Sequence, residues 1–240
     1  YPLVTGVQTV LFRSRVVPYQ PGMVEAPRLA PNEGAASARF WEGSANALAP
    51  LLASKDGARR PAAQIFAASL VARSATAQGF LLQRSGLVEE AGRILSLATR
   101  LDPDNLSAKV NLSVNEFLRR AQPIPASVRK PIETYSPALV EFFGPVDEPR
   151  HLEALGNATL GLEEPLVRAA ANAFVRAREL DPSSLDAAIG YARTCVAANE
   201  PKMALDAVAK AAAIVAASKP TPAQSSELDR KSTRLNSSHE

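Results

Sequence analysis

Aromatic side chains are scarce in this sequence: they make up 5% of the 240 residues, and the chain has one cysteine and two histidines. One cysteine excludes an intramolecular disulfide. The two histidines, His151 and His239, have no second histidine or cysteine near enough to indicate a metal site. No convincing run of alternating polar and apolar residues is present, and an alanine-rich, aromatic-poor chain favours closely packed helices over a β-sandwich. The sequence therefore predicts an all-α protein.

Known catalytic motifs are also missing. The chain has no G-x-S-x-G, no Walker loop, no dinucleotide fingerprint and no H-E-x-x-H. Asp147 and Glu148, followed by His151, could form an acid site, but acidic residues directly before a helix are better explained as a cap. Cys195 is expected to pack as a small apolar residue. No base and nucleophile or metal set converges, so we predict that this chain is not an enzyme and binds no cofactor or metal.

The apolar runs of this sequence are shorter than a membrane-spanning helix requires. The longest one near the C-terminus, residues 204–217, is interrupted by Asp206 and Lys210. It is too short and too charged to cross a bilayer. We therefore expect no membrane span in this chain, and the sequence shows no secretory signal pattern.

The two ends of the chain differ in character from the rest. Residues 1–14, YPLVTGVQTVLFRS, and residues 229–240, DRKSTRLNSSHE, resemble translated sequencing-adapter sequence from assembled environmental DNA. Without them, the 27 basic and 24 acidic residues become 23 and 22. The basic sequence pI of 9.2 is then no signal for nucleic acid, and we expect no nucleic-acid partner. We expect the chain to be a metagenomic fragment of a longer bacterial protein.

A helical repeat organises the middle of the chain. Residues 72–105 form two predicted helices that end in a Leu-Asp-Pro turn. Small residues recur at the spacing of one helix face, which lets two helices approach closely, while larger apolar residues fill the remaining space. The predicted packing positions are Gly79, Leu82, Ala91, Leu95, Ala98 and Pro103 in one repeat, Ala170, Phe174, Ala177 and Pro182 in a second, and Ala204 and Ala211 in a third.

These matches resemble the tetratricopeptide repeat (TPR) family over roughly half of the chain. Two features depart from its pattern: Ala75 stands where a tryptophan is frequent, and the segment from Gly156 to Ala170 is two residues too long. A generic array of α-hairpins is the alternative. The resemblance implies a TPR-like α-solenoid of antiparallel helix pairs, interrupted here by a long Pro-rich loop.

The chain divides accordingly. From the N-terminus we predict a non-native segment at 1–14, a Pro-rich linker at 15–36, an N-terminal helical unit at 37–120, a Pro-rich loop at 121–149 with a short helix at 136–143, two C-terminal TPR-like units at 150–217, and a disordered tail at 218–240, of which 229–240 is non-native.

Two short segments carry a narrower resemblance. NLSVN at 111–115 and GPVDEP at 144–149 are similar to the soluble C-terminal tail of a bacterial family of multi-spanning, O-mannosyltransferase-like membrane proteins. That resemblance implies that the sugar-transfer chemistry lies in a missing N-terminal half. It also implies an extracytoplasmic chain tethered to a bacterial membrane. No catalytic residue can be assigned here, because nothing in this chain matches the membrane half.

The leading functional prediction is a non-enzymatic scaffold for protein–protein or intramolecular domain contacts. Its partner would be a protein, a peptide or its own missing membrane domain; the alternative is a soluble accessory domain of a membrane glycosyltransferase. Asparagines on the inner face could hydrogen-bond an extended backbone. The predicted concave binding face contains Gln78, Leu82, Asn111, Asn115, Asn157 and Tyr191.

Overall fold

The computed structural model describes residues 31–52, 61–136, 140, 142–162 and 166–218. Within these residues the chain is helical and contains no β-strand. The helices are α1 (Pro31–Leu52), α2 (Ala62–Arg84), α3 (Val88–Leu101), α4 (Leu106–Arg119), a 3-10 helix (Ala126–Ile132), α5 (Pro149–Leu160), α6 (Val167–Leu180), α7 (Leu185–Ala197) and α8 (Pro201–Ser218). Helix α1 begins inside the predicted linker 15–36, with a proline at its first residue, where no backbone N–H is needed. The predicted segment 1–14 and tail residues 219–240 lie outside the described residues, as does half of the predicted helix 136–143.

Three antiparallel helix pairs, α2–α3, α5–α6 and α7–α8, form the TPR-like α-solenoid that the sequence predicted. The second helices of the first two pairs have the same length, and each residue of α6 lies 79 positions after its equivalent in α3. Each of these helices ends before a proline, Pro103 or Pro182, which cannot continue a helix.

Asparagine or serine starts the helix that follows each proline. The side chain of Asn105 accepts a hydrogen bond from the backbone N–H of Ala108 at 2.8 Å, and Ser184 does the same for Ala187 at 3.1 Å. Such N-caps satisfy a backbone donor that the first helical turn leaves unpaired. Helices α4 and α7 are therefore set in the same register.

Glycines allow the paired helices to pack at short distance. A Cβ atom at Gly79 would lie 2.6 Å from the Cγ of Leu95. The ring of Phe174 is held between Gly156 of α5 and Gly190 of α7, where added Cβ atoms would lie 2.8 and 2.2 Å away. Close packing also buries the small residues that the repeat pattern singles out: Ala91, Ala98, Ala170, Ala177, Ala204 and Ala211.

Helix α4 has no antiparallel second helix within the described residues. The Pro-rich segment packs on α4 instead, where the 3-10 helix and the residues beyond it contribute four apolar side chains. Val110 and Val114 of α4 pack in one buried cluster with Val128, Ile132, Val140 and Val146. The predicted loop 121–149 thus contributes, in its described part, four side chains to the core.

Helix α2 is long and apolar enough, by length and composition alone, to cross a membrane. One such helix is weak evidence for a span, since core helices pass the same test. Ala72, Ala75 and Leu82 of α2 are fully buried against neighbouring helices, whereas Phe66 near its start is exposed.

Candidate functional site

A groove between α2 and α4 holds a segment of the protein itself. We call residues 142–147 the strap. Asn111 binds it twice: its Nδ2 donates to the carbonyl oxygen of Pro145 at 2.8 Å, and its Oδ1 accepts from the backbone N–H of Asp147 at 2.7 Å. A carbonyl and the N–H two residues later point the same way in an extended chain. Asn111 therefore binds the strap as a neighbouring β-strand would.

Two polar side chains at the start of α4 hold the strap and the chain just before it. Asn105 donates to the carbonyl oxygen of Phe143 at 3.1 Å, and Ser107 donates to that of Val140 at 2.9 Å. Gly144 adopts a φ of +118°, and a Cβ atom there would lie 3.0 Å from Thr76. A residue other than glycine would be strained at this turn.

The carboxylate of Asp147 joins three elements in the interior. Gln83 of α2 donates to its Oδ2 at 2.8 Å, and Arg176 of α6 donates to both carboxylate oxygens, at 2.7 and 2.5 Å. Arg176 also pairs with Glu179 at 2.9 Å. Burial by itself would lower the pKa of Arg176, but hydrogen bonding and attraction from Asp147 and Glu179 raise it above its usual value. The guanidinium is thus charged, buried and paired.

Four of the six residues predicted to form the concave binding face are buried: Gln78, Leu82, Asn111 and Asn115. Asn115 donates to Gln83 at 3.1 Å and to the carbonyl oxygen of Val88 at 2.9 Å. These side chains do not present the surface for a separate partner that the sequence predicted, because the protein's own chain covers or engages them. The anticipated chemistry, an asparagine bound to an extended backbone, occurs within the molecule.

A second groove lies between α5 and α7, with a volume of about 330 Å³. It repeats the first one: α7 follows α4 by 79 residues, and Gly156 of α5 follows Gly79 of α2 by 77. The α7 residues that line it and their α4 equivalents are Asp186 and Ser107, Ile189 and Val110, Gly190 and Asn111, and Arg193 and Val114. No described segment of the chain occupies this second groove in the way the strap occupies the first.

The floor of the second groove is an ion-pair network. Arg150 contacts Glu153 and Asp186, each at 3.0 Å, and the attraction of Glu153 is the main cause of its raised pKa. The Ser184 hydroxyl donates to the other oxygen of Glu153. Arg150 thus contacts both carboxylates of the groove, and the Ser184 hydroxyl binds the second oxygen of Glu153.

Arg129 and Arg193 also line this groove, and in the described part of the chain neither makes an ion pair. Arg193 donates to the Oδ1 of Asn157 at 3.3 Å. Asn157 is exposed, as a residue on an accessible inner face has to be. Ile189, 45% exposed, adds an apolar surface beside these polar groups. Sequence reasoning missed Arg193, which the equivalence of α7 with α4 could have identified.

Tyr191, the last predicted residue of the concave face, lies outside this groove. Its ring packs under Arg178 of α6, with 5.1 Å between the guanidinium carbon and the ring centroid. Burial raises the pKa of Tyr191 and also the pKa of the neighbouring Cys195 thiol. The Cys195 side chain has no exposed surface. A buried, protonated thiol is a packing residue, because the thiolate is the reactive form.

The residues of the acid-site hypothesis have structural roles. Asp147 is paired with Arg176, and Glu148 caps α5 by accepting a hydrogen bond from the backbone N–H of His151 at 2.7 Å. In the residues that the structure describes, no three His, Cys, Asp or Glu side chains come together as metal ligands.

Neither a protein-family model nor a curated protein matches the chain. Among solved structures, "MamA RS-1 ArsTM double mutant" aligns with 18% identity and a TM-score of 0.33, over 77% of this chain and 97% of that one. "MamA 41-end from Desulfovibrio magneticus RS-1" aligns with 16% identity and a TM-score of 0.32, over 76% and 97%. Both TM-scores are low, so the description of the fold rests on the helix pairs themselves.

Replacing Asn111 with alanine should release the strap. The carbonyl of Pro145 and the N–H of Asp147 would both lose their partner, which costs about 1–3 kcal/mol of unfolding free energy. Hydrogen–deuterium exchange should rise at residues 143–147. The matched control, exposed Asn157→Ala, should change stability by less than about 0.5 kcal/mol. Unchanged exchange at the strap in the Asn111 variant would contradict the assigned contact.

Proposed function

We propose that this chain is a non-enzymatic scaffold that binds segments of proteins along the inner face of its helix pairs. The observation that carries the proposal is the docking of the strap between α2 and α4. There, side-chain amides of Asn105 and Asn111 hold the backbone of a non-helical segment. Hydrogen bonds to the backbone can hold segments of many different sequences, and the surrounding pockets select among their side chains.

The second groove offers an accessible surface with the same geometry. It combines an exposed amide, Asn157, an exposed aliphatic side chain, Ile189, and two arginines that are not ion-paired. Binding sites in proteins commonly pair apolar surface with a few polar groups that fix orientation. We therefore assign partner binding to the groove between α5 and α7.

The test is a selection of random twelve-residue peptides against the folded chain, with the binding site mapped by hydrogen–deuterium exchange. We expect the selected peptides to protect α5 and α7, and Ile189→Asp to abolish binding. The control Leu205→Asp changes an aliphatic residue of α8 that is 71% exposed and should leave binding unchanged. Peptides that protect other surfaces, or a failure to select any binder, would refute the proposal.

As the alternative, we propose a soluble accessory domain of a bacterial membrane glycosyltransferase, with its partner in the membrane half of the same polypeptide and on the extracytoplasmic side. One observation favours it: the two segments similar to that family, 111–115 and 144–149, bind each other through Asn111. Sequencing the native locus through both ends tests this alternative and the adapter hypothesis together. Several apolar stretches upstream are expected; native codons for the two end segments would refute the adapter origin.

A further inference from the structure

We infer that the groove between α5 and α7 takes an extended segment in which an aliphatic residue is followed by a carboxylate, and that Arg129 and Arg193 receive this carboxylate. The inference rests on the proposed function and names the class of partner for the same groove.

The occupied groove supplies the precedent. The strap that fills it ends in Val146 and Asp147: the valine belongs to the same buried cluster as Val110 of α4, and the carboxylate is held by an arginine. Bidentate arginine–carboxylate pairs are among the strongest polar contacts in proteins. A chain segment that ends in an aliphatic residue and an acid thus already binds one groove of this geometry.

The apolar and amide parts of that contact have counterparts in the open groove, where Gly190 stands at the position of Asn111. Ile189 stands at the position of Val110 and is 45% exposed, whereas Val110 is covered by the Pro-rich segment. Asn157 accepts a hydrogen bond from Arg193 through its Oδ1, which leaves its Nδ2 to donate to a peptide carbonyl. This donation would reproduce the bond from Asn111 to Pro145.

The charged residues that line the groove determine which side chain a bound segment should carry. Three arginines and two carboxylates line the groove, and Arg150 already contacts both carboxylates. An incoming acid finds two guanidinium groups, Arg129 and Arg193, without an ion-pair partner. An incoming lysine finds only carboxylates that are engaged, so the groove selects against basic segments.

The probe is a fluorescein-labelled peptide with blocked ends and the sequence VEFFGPVDE, which is that of residues 140–148. Its binding to the full chain is followed by fluorescence anisotropy. We expect VQFFGPVNQ, in which all carboxylates are amides, to bind about tenfold more weakly, the effect of losing one charge-assisted contact. Arg129→Ala and Arg193→Ala should each weaken binding of the acidic peptide severalfold. Arg168→Ala, an exposed arginine of α6, is the matched control and should have no effect.

Reversing the charge at Arg193 and in the peptide distinguishes a direct contact from general electrostatic attraction. Arg193→Glu should lose the acidic peptide and gain affinity for VEFFGPVKK, in which lysines replace the final acids. Circular dichroism of each variant verifies the fold. Equal binding of the acidic and amide peptides would overturn the inference, as would sensitivity to Asn111→Ala in place of Arg193→Ala, which would mean that the peptide displaces the strap.

The two proposals can fail separately. If selected peptides protect α5 and α7 but need no acidic residue, the scaffold function stands and the carboxylate inference falls. If no peptide binds the inner face at all, both fall.

Discussion

Asp147→Ala is expected to lower the free energy of unfolding by about 3–5 kcal/mol, because removing one partner of a buried ion pair strands the other charge. Arg176 keeps only 8% of its side chain exposed, and that of Asp147 is fully buried. Gln83 would also lose the acceptor that it contacts at 2.8 Å. Urea denaturation followed by circular dichroism measures the change, and Asp206→Ala, an exposed aspartate of α8, is the control.

A second variant distinguishes the missing charge from missing volume. In Asp147→Leu/Arg176→Met both charges are replaced by apolar groups, so no charge is left buried without a partner. We expect this double variant to be clearly more stable than Asp147→Ala. Equal loss in the two variants would show that the ion pair is not the source of the stability.

Phe174→Ala is the other large effect that we expect, with a loss of about 3–5 kcal/mol for a fully buried aromatic ring. The ring is held between Gly156 of α5 and Gly190 of α7, so it links two consecutive helix pairs. Its removal leaves a cavity that neither helix can close without moving along the other. The measurement is again the midpoint and slope of urea denaturation.

Two further variants make this prediction specific. Phe66→Ala removes a ring that is 66% exposed and should cost less than about 0.5 kcal/mol. Gly190→Ala should cost about 1–3 kcal/mol, because its Cβ atom would meet the Phe174 ring. In a Phe174→Leu background the cost of Gly190→Ala should shrink. If the losses of unfolding free energy from Gly190→Ala and Phe174→Leu simply add in the double variant, Gly190 does not act through the ring.

The ion pair and the ring each join separate helices of the array. Asp147 fastens the strap to α2 and α6, so the strap connects the first helix pair to the second. The ring of Phe174 packs between Gly156 of α5 and Gly190 of α7. Under the proposed function, the first groove is occupied by the strap and the second is the surface for a partner.

The helices were predictable because their signals are local. Pro103 and Pro182 stop two helices, and Asn105 and Ser184 cap the next two. Gly79, Ala91 and Leu95 mark a close helix contact through their spacing alone. The acidic residue before α5 was also identified correctly as a cap, since Glu148 binds the first turn of that helix.

The binding face was harder to predict, and four of its six proposed residues are buried. Periodicity showed that Asn111 and Asn115 lie on one side of a first helix. It could not show that the Pro-rich segment would return to cover Asn111, because a segment without periodicity carries no sign of where it packs.

By itself, the sequence determined the all-α class, the paired helices, their ends and the small residues at their crossings, since each depends on neighbours within one or two turns. Only the tertiary structure decided which groove is filled. The contacts responsible join residues that are 64 positions apart for Gln83 and Asp147, and 29 apart for Asp147 and Arg176. Contacts at that separation depend on how the helix pairs stack, and no local pattern encodes them.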